Sequence, residues 1–147
     1  MVDDIVAELS CDFDAPPETV FEAWTSPAVL PLWLAPPPYR MVEAAVDARP
    51  GGAYVHHVSG PDGEHVVQGT FADFVQDRHL RFSWNYAGPN PVPRPETTWV
   101  EVRFDRGANG GTVLRLTHAG LRDEREFDHY QIGWGVNFKQ LGEVLER

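Results

Sequence analysis

The sequence predicts an α+β domain in which a curved antiparallel sheet of about six to seven strands wraps around a long C-terminal helix, with two short helices after the first strand. Three observations carry this prediction. Residues 5 to 13 alternate in polarity, regular turn punctuation divides residues 49 to 120 into runs of strand length, and one narrow apolar stripe runs through residues 127 to 145.

In the first run Ile5, Ala7, Leu9, Cys11 and Phe13 fall on one side and Val6, Glu8, Ser10 and Asp12 on the other, as in a half-buried strand. Asp14-Ala15-Pro16-Pro17 stops it. Pro17, Glu18 and the i,i+4 pair Val20 and Trp24 then start a short helix whose acidic first turn suits the helix dipole. Ser26-Pro27 repeats the start signal, predicting a second short helix through Leu30 and Trp33. Ala35-Pro36-Pro37-Pro38 cannot continue a helix, so the chain leaves extended into a strand around Met41 to Asp47.

Pro50-Gly51-Gly52, Gly60-Pro61-Asp62-Gly63, Gln76-Asp77-Arg78, the stretch from Gly88 to Pro95, and Gly107 to Gly111 then divide the chain into strands. Tyr54, His56 and Val58 share one side, as do Val67, Gly69 and Phe71. Leu80, Phe82, Trp84 and Tyr86 form a third set, Val100, Val102 and Phe104 a fourth, and Leu114, Leu116 and His118 a fifth. This is an antiparallel meander, with Pro61-Asp62-Gly63 as a hairpin turn that sets register. In the last segment Asp123 and Glu126 read as a capping box. Phe127, Tyr130, Trp134, Phe138, Leu141 and Leu145 then occupy a stripe about 80° wide, which only the sheet is large enough to cover. Gly133 and Gly135 each cost about 1 kcal/mol inside a helix, so close backbone approach or a bend is expected there.

Length and composition bound the function. At 147 residues the chain is expected to form one domain spanning residues 1 to 147. Its formal charge of -10 argues against nucleic acid and anionic membrane surfaces as partners. Without a long apolar run, and with an acidic start at Asp3-Asp4, the protein is expected to be cytoplasmic. Cys11 is the only cysteine, which excludes an internal disulfide and leaves no Cys cluster for zinc or an iron–sulfur centre. His56 and His57 point to opposite faces of one strand, and His65, His79 and His129 lack ligand spacing, so neither metal nor cofactor is expected. No nucleophile elbow, phosphate loop or dinucleotide fingerprint is present.

One strand, two short helices, a six-strand meander and a long terminal helix follow the order of the START-like, or SRPBCC, superfamily, with its helix-grip fold. At motif level, Ala15 to Thr25, Trp33, Pro50-Gly51-Gly52, Asp62-Gly63, Gly69-Thr70-Phe71, Leu80 to Trp84, Gly111 to His118 and Gly133-Trp134 resemble the family named for the activator of heat-shock protein 90 ATPase. The resemblance covers nearly the whole chain. It implies the fold, and through the superfamily's lipid carriers, hormone receptors, aromatic cyclases and oxygenase subunits it implies binding of small apolar molecules. The eukaryotic co-chaperones behind the family name carry a further N-terminal domain that this chain is expected to lack, so a co-chaperone or protein-interaction role stands only as an alternative.

Strand and helix parity direct Tyr54, His56, Phe71, Phe82, Trp84, Tyr86, His118, Trp134, Asn137 and Phe138 towards the space between sheet and helix. An aromatic-lined cavity with a few polar groups suits a small hydrophobic or aromatic ligand. A plain aromatic core is the competing explanation for each residue. His118 is expected near the pocket rim, where it could anchor a ligand or, in a cyclase or hydrolase, act as acid or base with Tyr54 or Tyr86 orienting substrate. Asn137 is expected beside it. Trp99 has the opposite parity and is expected outside. Ile132 and Val136, on the far side of the helix near Lys139 and Glu143, are surface residues or part of a homodimer contact.

Overall fold

The alternating first run forms β1 (Ile5–Phe13), with Ala7 and Phe13 buried and Glu8, Ser10 and Asp12 exposed, in a computed structural model that describes residues 5–89 and 97–146. Proline at the first helical position starts α1 (Pro17–Thr25), which buries Val20, Phe21, Ala23 and Trp24. The second expected helix is only a 3-10 turn over Leu30–Leu32. Ser26 ends α1 rather than capping a new helix, and Pro31, which has no backbone N–H, keeps the following turn short.

Six further strands follow: β2 (Arg40–Val46), β3 (Ala53–Gly60), β4 (Gly63–Val75), β5 (His79–Ala87), β6 (Thr98–Arg106) and β7 (Thr112–Leu121). They form one seven-stranded antiparallel sheet in the order β1-β7-β6-β5-β4-β3-β2. The meander is as expected, and α1 with the 3-10 turn carries the chain from one sheet edge to the other. The β3–β4 turn keeps Gly60 opposite Gly63, and Gly63 has a φ of 125° that suits glycine. The punctuation at 90 to 95 and the acidic pair Asp3-Asp4 lie outside the described residues.

The terminal helix α2 (Glu124–Leu145) lies against the concave face, which makes the architecture an α+β helix grip. Asp123 caps it, accepting from the Glu126 backbone N–H at 2.9 Å. The second half of the box is displaced by one residue, since the Glu126 carboxylate accepts from the Arg122 N–H. Trp134, Asn137, Phe138 and Leu141 are the buried residues of α2. Phe127, Tyr130 and Leu145 are half-buried, because they lie towards the ends of the helix. Gly133 has open space where a Cβ would stand, and Gly135 has only Leu9 Cδ2 at 4.0 Å. Close backbone approach therefore does not explain either glycine. Ile132 and Val136 are exposed. Trp99 faces away from the core, where the Arg81 guanidinium lies 4.2 Å from its ring centroid.

Candidate functional site

The space between the sheet and α2 is filled mainly by aromatic rings. Tyr54 is the hub of one group: its ring lies 4.7 Å from His56, 5.8 Å from Phe71 and 5.5 Å from Phe82. Trp84 joins that group to the helix, at 6.3 Å from His56, 5.6 Å from His118 and 5.3 Å from Trp134. Trp24 of α1 stacks on Trp134 with centroids 5.7 Å apart and also approaches Phe138. Rings at these separations contribute dispersion and quadrupole attraction beyond their burial.

A cavity of about 10 Å³ lies beside them, lined by Trp24, Leu30, Leu34, Val46, Tyr54, His56, Phe71 and Phe82; no residue of α2 lines it, so it sits between the sheet and the segment from α1 to Leu34 rather than under the terminal helix as expected. Its volume is roughly the room for one water molecule or one hydroxyl group. Tyr54 donates to the Ser83 carbonyl at 2.6 Å, and burial raises its phenol well above the usual range. His56 is 5% exposed, and its ring makes no hydrogen bond among the described residues. Burial lowers its pKa to about 4, so the imidazole is neutral at physiological pH. Trp24 Nε1 is buried with no partner among the described residues.

His118 is fully buried, which corrects its expected place at the rim. Trp134 Nε1 donates to its Nδ1 at 3.1 Å, which leaves the ring proton on Nε2. Nε2 then donates to Thr98 Oγ1 at 2.9 Å, and that hydroxyl donates to the Trp84 carbonyl at 2.9 Å. A neutral histidine satisfies this chain. Asn137 is likewise buried rather than at the rim, and its Oδ1 has no partner among the described residues. Both are buried although α2 packs chiefly along the edge strand β1, because Trp134 reaches inward from the helix to His118 and to Trp84 of β5.

Tyr86 belongs to a different cluster. Its hydroxyl meets His65 Nδ1 at 2.5 Å, while His65 Nε2 meets the Asp62 carboxylate at 2.8 Å. The bond to His65 is the main cause that holds the Asp62 carboxyl below its ordinary range. This carboxylate–imidazole–phenol chain ties the β3–β4 turn to β5. In the sequence His65 stood only as a histidine without metal-ligand spacing; nothing there paired it with Tyr86.

Sequence parity brought Tyr54, His56, Phe71 and Phe82 to the cavity wall but missed Trp24, Leu30, Leu34 and Val46. The i,i+4 pattern of α1 marked Trp24 as buried without saying what it would meet. A wider groove of about 770 Å³ runs outside, past Glu18, Asp77, Arg78, Arg103 and Arg106. Charged side chains are mixed there with Pro17, Val75 and Phe104, and the groove is open to solvent. Among the described residues no group of three His, Cys, Asp or Glu side chains is placed to hold a metal ion, and no helix is long and apolar enough to cross a membrane.

Comparison with solved structures gives the same fold. A protein from Chromobacterium violaceum is 23% identical and has a TM-score of 0.84, with 97% of each chain covered. The AHSA1 protein of Silicibacter pomeroyi is 19% identical, with a TM-score of 0.82 over 97% of this chain and 98% of that one. An AHSA1-like protein from Aeromonas hydrophila is 22% identical, with a TM-score of 0.76 over 97% and 92%. A search of curated proteins finds no match. The family profile described as activator of Hsp90 ATPase homolog 1-like protein matches residues 14–146, and with the helix-grip architecture it follows that the chain belongs to that family.

Proposed function

We propose that this domain binds a small hydrophobic or aromatic molecule between its sheet and the segment from α1 to Leu34, rather than directly under α2, and does not catalyse its conversion. The observation that supports this reading best is the cavity walled by Trp24, Tyr54, His56, Phe71 and Phe82, where rings from α1, β3, β4 and β5 converge on space that they do not fill. Trp84, His118, Trp134, Asn137 and Phe138 form the supporting shell towards α2, and Tyr86 stands at its hairpin side. The cavity is small, so any ligand larger than a water molecule displaces part of the wall. Leu30 and Leu34 are the members best able to move, because neither belongs to the sheet.

Catalysis by His118 draws no support from its surroundings. Its ring bonds are satisfied by Trp134 and Thr98, and it is fully buried. Native mass spectrometry of protein purified from its own host, followed by thermal denaturation with apolar compounds, tests the binding reading. A ligand at a hundred times its Kd should raise Tm by about 5–10 °C. If no molecule co-purifies and no apolar compound shifts Tm, the reading fails.

A further inference from the structure

Two polar side chains border the same cavity, and neither has a hydrogen-bond partner among the described residues. Trp24 Nε1 is buried and can only donate. His56 is 5% exposed, and its close ring neighbours among the described residues are Tyr54 and Trp84. The Tyr54 hydroxyl cannot donate to it, because its proton goes to the Ser83 carbonyl at 2.6 Å. A buried donor left unpaired is destabilising, so the Trp24 N–H, with the unbonded His56 ring at the same cavity, calls for a group that completes it.

We propose that the cavity is the seat for the hydroxyl group of a neutral apolar alcohol or phenol, an inference that rests on the binding function proposed above. A hydroxyl supplies what each side chain lacks. Its oxygen accepts from Trp24 Nε1–H, and its own proton is donated to the unprotonated nitrogen of His56. A hydrocarbon leaves both groups unpaired. A carboxylate would bring a full charge into a wall made of Leu30, Leu34, Val46, Phe71 and Phe82, with no cation among the lining residues to balance it. The volume agrees with this assignment, since about 10 Å³ seats a hydroxyl and not a ring. The apolar body then lies against Leu30 and Leu34, which the sheet does not hold.

The test is a titration of the full chain at pH 7 with p-cresol, toluene and p-toluate, followed through the Trp24 indole N–H resonance and by calorimetry. p-Cresol should bind at least about tenfold more tightly than toluene and move the Trp24 N–H signal, whereas p-toluate should not bind. His56→Leu should raise Tm, because it replaces a desolvated polar ring in an otherwise apolar wall, and should reduce the p-cresol preference to less than about twofold while toluene binding is kept. If p-cresol and toluene bind equally to the native chain, or if His56→Leu keeps the preference, the hydroxyl assignment is overturned and the apolar-ligand reading stands. If none of the three binds up to its solubility, both are overturned.

Discussion

His56 and His118 are both buried, and the chain treats them in opposite ways. His118 is tied at both ring nitrogens, to Trp134 and Thr98. His56 is surrounded by rings and lacks a polar partner among the described residues, and burial alone lowers its pKa from 6.5 to about 4. Because the folded value lies below the unfolded one, the unfolded chain carries the extra proton between these limits, and stability rises with pH across that interval. The effect is absent above about pH 6.5 and develops as pH falls towards about 4, with a total near 3 kcal/mol. Urea unfolding at pH 7, 5.5 and 4.5 should show this loss in the native chain and a shallower dependence in His56→Leu. Equal slopes would show that His56 is not the group responsible.

At the scale of elements, glycines that look alike in sequence do different work. In β4, a Cβ at Gly69 would lie 2.0 Å from the Ser83 carbonyl oxygen, so the two strands can pair here only without a side chain. Gly133 in α2 meets nothing within 4 Å. Gly133→Ala should therefore stabilise the protein by about 1 kcal/mol through helix propensity. Gly69→Ala should destabilise it by roughly 3 kcal/mol or more through overlap with backbone. Thermal denaturation of the pair checks both signs, and a loss of stability in Gly133→Ala would mean that α2 needs flexibility there.

Across the whole molecule, the least supported wall of the cavity is the segment after α1. It has no place in the sheet, but the Gln140 side-chain amide donates to the Trp33 carbonyl at 2.9 Å and to the Ala35 carbonyl at 3.0 Å, fastening it to α2. Trp33 adds a bond from Nε1 to the Ala23 carbonyl at 2.9 Å. Gln140→Ala should speed hydrogen exchange at the Leu34 and Tyr39 amides by about tenfold or more, while the amides of β5, β6 and β7 keep their protection. Unchanged exchange at Leu34 would assign the fastening to packing instead. Such loosening should also ease entry of a ligand, since Leu30 and Leu34 line the cavity.

Most of the fold was written locally. Alternation in β1, turn residues such as Pro61-Asp62-Gly63, the Asp123 cap and the spacing from Tyr130 to Leu141 each act over a few residues, so the helix, the meander and the inward faces could be read along the chain. Tyr54, His56, Phe71 and Phe82 followed from the same parity. What only the tertiary structure decided is which distant groups meet. That α1 brings Trp24 to the cavity that His56 also lines, that Trp134 and Thr98 complete His118, and that His65 pairs with Tyr86 all depend on contacts across sheet and helix. Side-chain parity says which way a residue faces, whereas hydrogen bonding and cavity volume depend on what arrives opposite it.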